Sequence, residues 1–130
     1  MIKKIIAIKQ KKQTLKEFED SIKEFREPFQ KDLIRLYKDD PSLIEVDLEF
    51  NQITYEVAST LAEALKPNTS LEVLNLMEGE IGDEEASVLA EALKTNTSLK
   101  VINLNNNQIG AKGAIALAAA LKTNTSLKVI

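Results

Sequence analysis

Twenty-eight residues recur three times, end to end and without a gap. Residues 43–70 read LIEVDLEFNQITYEVASTLAEALKPNTS, residues 71–98 read LEVLNLMEGEIGDEEASVLAEALKTNTS, and residues 99–126 read LKVINLNNNQIGAKGAIALAAALKTNTS. A partial fourth copy, LKVI, occupies residues 127–130. The second and third copies agree at 16 of 28 positions. A fixed period of this length opening L-x-x-L-x-L marks a leucine-rich repeat. One such unit cannot bury its own apolar side, so neighbouring units must stack.

Within each copy the pattern changes from alternation to helical spacing. The opening residues alternate, which places Leu43, Val46 and Leu48, then Leu71, Leu74 and Leu76, then Leu99, Ile102 and Leu104 on the inner side of short strands. Ile53, Ile81 and Ile109 follow and are expected to be buried. Next come Ala58, Leu61, Ala62 and Leu65, repeated as Ala86, Leu89, Ala90 and Leu93, and as Ala114, Leu117, Ala118 and Leu121. Spacings of three, four and seven put each set on one helix face. K-[PT]-N-T-S closes each copy, and its Asn68, Asn96 and Asn124 suit a left-handed cap or turn. Asn51 and Asn107 follow the strands and would pair with backbone groups left over by the turn. Gly79 replaces them in the second copy, where a looser turn is expected over residues 77–80.

Residues 1–42 carry no repeat. They hold 11 Lys/Arg against 8 Asp/Glu, whereas residues 43–130 hold 6 against 12. Residues 1–13 contain five lysines and no acid, and read as a frayed end. Thr14 to Glu17 has the form of a capping box. Leu15, Phe18, Ile22 and Phe25 form one apolar stripe, and Phe29, Leu33, Leu36 and Tyr37 form a second. Two short helices covering the first repeat are expected, because a stack exposes apolar surface at its end. The domains are thus a helical cap over residues 1–42 and a repeat domain over 43–130. The expected fold class is α/β, a right-handed leucine-rich-repeat solenoid with a helical N-terminal cap.

The repeats resemble the ribonuclease-inhibitor-like class of leucine-rich repeats. The residues that carry the resemblance are Leu99-x-x-Ile-x-Leu-x-x-Asn-x-Ile-Gly110, then Gly113-Ala114 and the Leu117, Ala118, Leu121 helix. Members of that class include ribonuclease inhibitors, the sensor arms of NOD-like receptors, the C-terminal domain of tropomodulin and Ran GTPase-activating proteins. The resemblance implies a curved parallel sheet on the concave side, used as a binding surface, with helices on the convex side.

The chemistry available is narrow. With no His and no Cys, the common nucleophilic triads and thiolate metal sites are excluded. The glycines at 79, 82, 110 and 113 lack phosphate-loop spacing. Glu45, Asp47 and Glu49 alternate along one strand and do not wrap a cation, so no metal and no cofactor are expected. An acidic repeat body argues against nucleic acid as a ligand. No apolar run is long enough to span a membrane, and a cytoplasmic location is expected.

What remains is the outward strand face: Glu45, Asp47 and Glu49; Val73, Asn75 and Met77; Val101, Asn103 and Asn105; and Val129. The reading is a non-enzymatic protein–protein interaction module that binds a partner there. The acidic first strand favours a basic segment on that partner. The alternative is a fragment of a larger regulatory or recognition protein, an enzyme regulator or innate-sensor-like protein, with its effector domain elsewhere. Self-association through the open C-terminal repeat is a further expectation, because uncovered strands pair readily.

Overall fold

The computed structural model describes residues 15–20, 22 and 29–128. The capping box at Thr14, the side chains of Phe25 and Phe29, and Val129 lie outside the described residues. Residues 15–20 are helical. They are followed by α1 (Phe29–Tyr37), β1 (Glu45–Asp47), α2 (Tyr55–Leu65), β2 (Val73–Asn75), α3 (Asp83–Thr95), β3 (Val101–Asn103) and α4 (Ala111–Thr123). The strands form a parallel sheet in the order β1-β2-β3. Glu45 pairs with Val73 and Val73 with Val101, so the register equals the sequence period. Each helix packs on the next.

The expected inner residues of the strands are buried, except that Leu104 of the last copy is only partly so. The helix faces follow the expectation in the first two copies. Ala58, Leu61, Ala62 and Leu65, with Ala86, Leu89, Ala90 and Leu93, are all buried. In the third copy Leu117 is buried, but Ala114 and Ala118 are exposed, Leu121 is 38% exposed and Ile109 is half-buried. These positions face onward along the stack, and no further helix lies against them among the described residues. Ala64, Ala92 and Ala120 are also buried. Alanine there lets successive helices approach closely, which periodicity alone did not single out. Gly113 serves the same purpose. A Cβ there would lie 2.8 Å from Ile109 Cγ2 and 3.1 Å from Ala86 Cβ.

The period extends back into α1. Leu33 and Leu36 stand 28 residues before Leu61 and Ala64, and all four are buried. Phe18 and Ile22 join the same core, and the Phe18 ring stacks on Tyr37 at 4.3 Å. No strand precedes α1 among the described residues, which hid this half-unit from a search for L-x-x-L-x-L.

The three turn asparagines are not left-handed. Asn96 has φ −70° and ψ 131°, and Asn124 has φ −79° and ψ 127°. Their side chains are what the turn requires. Asn96 Nδ2 donates to the Leu65 carbonyl at 2.8 Å and the Asn68 carbonyl at 3.2 Å, both in the preceding unit. Its Oδ1 accepts from the Ser98 and Leu99 amides at 3.0 and 2.8 Å. Asn124 repeats this one unit later, donating to Leu93 and Asn96. Asn68 donates to Leu36 of α1 at 3.0 Å.

Asp40 stands 28 residues before Asn68 and begins this series. Its Oδ1 accepts from the Ser42 amide, as the asparagines do from their own serines. A carboxylate has no donor to offer a preceding unit, and its Oδ2 accepts instead from Arg35 Nε at 2.8 Å. That hydrogen bond, then those from Ser42, lower the Asp40 pKa from 3.8 to about 2. A carboxyl depressed on folding adds stability above its unfolded pKa and loses it as pH falls through the folded value. Asp40→Asn should therefore flatten the fall in melting temperature between about pH 4 and pH 2, the interval set by those two values. An unchanged slope in thermal melts would show that the pair contributes nothing. Packing offers a second comparison. Leu93→Ala should cost about 2–5 kcal/mol. Leu121→Ala, at the same place in the next copy, should cost less than about 1 kcal/mol because the side chain is already in contact with water. Denaturant titration of both variants measures the difference.

Candidate functional site

The outward strand face is built by alternation. Exposure runs exposed–buried–exposed along β1 and half-buried–buried–half-buried along β2 and β3. Glu45 and Asp47 are exposed, Val73, Asn75, Val101 and Asn103 are half-buried, and the residues just beyond the strands are Glu49, Met77 and Asn105. The register aligns them in three rows of about 4.8 Å spacing, Glu45–Val73–Val101, Asp47–Asn75–Asn103 and Glu49–Met77–Asn105. The structure therefore brings together the nine described residues expected at this face. Val129 is outside the described residues.

The middle row has a structural task that the alternation did not reveal. Asp47 Oδ1 accepts from the Glu49 amide at 3.1 Å, Asn75 Oδ1 from the Met77 amide at 3.1 Å, and Asn103 Oδ1 from the Asn105 amide at 3.0 Å. Each is an Asx turn that bends the chain off the end of its strand. Asn75 Nδ2 also donates to Glu49 Oε2 at 3.2 Å. The first row, Glu45, Val73 and Val101, carries no such side-chain bond and is the freer surface.

The loops beyond the strands are held by Asn107. Its Nδ2 donates to the Leu76 and Leu104 carbonyls at 3.0 Å, and its Oδ1 accepts from the Gly79 and Ile81 amides at 2.9 Å. The second-copy turn is thus tied to its neighbour even though Gly79 replaces asparagine. A Cβ at Gly79 would sit 2.9 Å from Ile53 Cγ1, so that place has no room for a side chain. The turn does differ in backbone. Phe50 and Asn106 are left-handed in the first and third copies, whereas Glu78 and Glu80 both are in the second. A left-handed non-glycine residue costs roughly 1–2 kcal/mol. Phe50 combines that cost with 62% exposure.

Beyond the loops, Asp83 joins two copies. Its Oδ1 accepts from the Gly110 amide at 2.7 Å and the Gly113 amide at 2.9 Å. Gly110 has no side chain to cap α4, so Asp83 of the preceding unit caps it. Asp83 opens α3 in sequence, yet these two bonds serve the following unit.

Charge is concentrated more sharply than the division at residue 43 suggested. From Asp39 to Glu91 there are fourteen carboxylates and one basic residue, Lys66. Lys66 sits at the C-cap of α2, away from the strands. After Glu91 no acidic residue follows. Among the described residues, no three Asp or Glu side chains gather as a metal would require. No helix among them is long and apolar enough to cross a membrane. Shallow grooves lie elsewhere. One of about 420 Å³ includes Tyr55, Asp83, Val88 and Lys112 on the helical side, and one of about 350 Å³ lies at the open end beside Leu117 and Leu121.

In-register strands, stacked helices and an outward sheet face define a leucine-rich-repeat domain. A family model for the TMOD/LMOD leucine-rich domain matches residues 28–130, and the chain belongs to that family. Among solved structures, it is similar to actin-binding site 2 of leiomodin-1, with 31% identity over 80% of this chain and 61% of that one, at a TM-score of 0.74. It is also similar to the tropomodulin C-terminal domain of Caenorhabditis elegans, with 27% identity over 78% of this chain and 62% of that one, at a TM-score of 0.69. The chain therefore spans about three fifths of either relative. No curated protein sequence matches it significantly. The matched region begins beside α1, which agrees with the period reaching back to Leu33.

The cross-copy cap is testable. Asp83→Ala should lower stability by about 0.5–2 kcal/mol, the usual cost of a lost cap. It should also speed amide exchange in the first turn of α4. Unaltered exchange at Gly113 would contradict the assignment.

Proposed function

We propose that this domain is a non-enzymatic protein-binding module whose partner lies across the outward strand face, and that actin is the first partner to test. The observation that carries the reading is the sheet face itself, where half-buried valines and amides stand in a fixed register with no element of the described chain over them. The similarity to actin-binding site 2 of leiomodin-1 supports the choice of partner. The wider architecture fits this use. The units form a right-handed, ribonuclease-inhibitor-like solenoid, with this sheet as its concave side and residues 1–42 as its cap. The acidic first strand suits a basic segment on the partner, chiefly by raising the association rate. A cytoplasmic location agrees with such a partner.

The freer row of the sheet offers the cleaner test. Glu45→Lys with Val73→Lys leaves the Asx turns intact, whereas Asp47→Lys would disturb one. In co-sedimentation with actin filaments, the unaltered domain should pellet, and the double variant should bind at least tenfold more weakly with unchanged helicity. Equal affinity would remove this face from the reading. Failure of the unaltered domain to bind both filaments and monomers would remove actin.

A second reading is favoured by the exposed Ala114, Ala118 and Leu121 at the open end. Their equivalents in the first two copies are covered by the next helix, and a second copy of the chain could cover these. Leu121→Glu should then raise the monomer fraction in sedimentation equilibrium. A chain that is monomeric throughout would rule this out.

A further inference from the structure

We propose that the seam between α2 and α3, on the helical side of the domain, docks a basic amphipathic helix of a partner protein. That helix would carry lysine or arginine side chains seven residues apart, with apolar residues between them. The seam lies on the opposite side of the sheet from the outward strand face, so this inference and the functional reading above stand or fall separately.

The two helix seams of the repeats are built differently. Between α3 and α4, Asp83 reaches across, and its Oδ1 accepts from the Gly110 and Gly113 amides. Tyr55 holds the equivalent place one period earlier. It leaves the start of α3 alone, and the Gly82 amide donates instead to Glu85 Oε1 of its own unit at 3.1 Å. The Tyr55 side chain is 56% exposed. Two shallow grooves open beside it, of about 420 and 310 Å³, and Tyr55 and Val88 line both. The grooves therefore share an apolar floor made of an aromatic ring and a half-buried valine. A ring so placed can also take a cation over its face.

Charge decides what fits there. Helices α2 and α3 carry six carboxylates and one basic residue, Lys94, which Glu91 holds at 2.8 Å. Glu84 lines the larger groove and Glu63 the smaller, and both are exposed. Position 63 is level with position 91, one period on, so the two carboxylates are offset by seven residues of helix, or about 10 Å. Val88 stands between those levels. Cations at i and i+7 of a docked helix have the same offset, and residues i+3 and i+4 of the same face then meet Val88 and Tyr55. Lys66 at the end of α2 and Lys112 on α4 border the grooves. Helix α4 carries lysines and no acid, so the acidic strip is confined to this one seam.

The probe is a synthetic alanine-based helical peptide with lysines at i and i+7 and leucines at i+3 and i+4, titrated into the full isotope-labelled chain. Saturable amide shifts should appear at Tyr55, Ser59, Glu63, Glu84 and Val88 and leave residues 101–105 unmoved. Glu63→Gln with Glu84→Gln should weaken binding by about fivefold or more, within the range of two exposed charge pairs. Tyr55→Ala should weaken it as well, with helicity unchanged. A peptide with glutamates in place of both lysines should not bind. Absence of saturable shifts, equal affinity of either variant, or shifts confined to the strand face would overturn the proposal. So would the same shifts on raising the protein concentration without peptide, because the groove would then take a second copy of the chain.

Discussion

The stack depends on one side-chain amide per unit. Asn96 lies at the turn from helix to strand and is 2% exposed. Four of its side-chain hydrogen bonds satisfy two carbonyls of the preceding unit and two amides of its own. Unpaired, each such buried group would cost about 1–3 kcal/mol. The same residue therefore closes its own turn and fixes the distance to the unit before it. Lateral backbone bonds add to this along the strands and through the segments that flank them, as from the Phe50 amide to Met77 and from the Lys100 amide to Glu72. Among the described residues, no buried side-chain nitrogen or oxygen lacks a partner.

Both ends follow from that arrangement. At the first described unit a carboxylate stands in place of the amide, and Asp40 accepts from Arg35. At the last described unit Asn124 is complete, yet it is only partly buried, with no further described element packed beyond it. The helices show the same asymmetry. Small residues face the preceding unit and stay covered throughout, whereas the onward-facing Ala114, Ala118 and Leu121 are exposed. The outward strand face is rigid for the same reason, since its backbone is held at both strand ends by asparagine or aspartate side chains.

Much of this was legible in the sequence because strand and helix place their apolar residues at different periods. Leu43 to Leu48 and Ala58 to Leu65 declared their faces directly. What stayed hidden was polar. Asparagine in a turn suggests a left-handed backbone, but Asn96 is extended and acts through its side chain instead. Asp47, Asn75 and Asn103 alternate as surface residues should, and alternation carries no sign that each one binds the amide two residues on. Asp83 stands at the start of its own helix, but its bonds to Gly110 and Gly113 cross between units. Gly79 looked like a lost asparagine, whereas the neighbouring Asn107 already occupies its amide. Contacts spanning one period cannot be told from local ones until the register is known.

The domain's place in the TMOD/LMOD family agrees with a role in protein binding. The central physical claim is that the turn asparagines hold the units together. It is tested most directly by the unfolding free energy of Asn96→Ala against that of Asn124→Ala. The account predicts a loss of at least about 3 kcal/mol for Asn96, which leaves several buried groups unpaired. The loss at Asn124 should be clearly smaller, because water reaches that turn. A loss below about 1 kcal/mol at Asn96, the net value of one ordinary hydrogen bond, would contradict it. So would equal losses at the two positions.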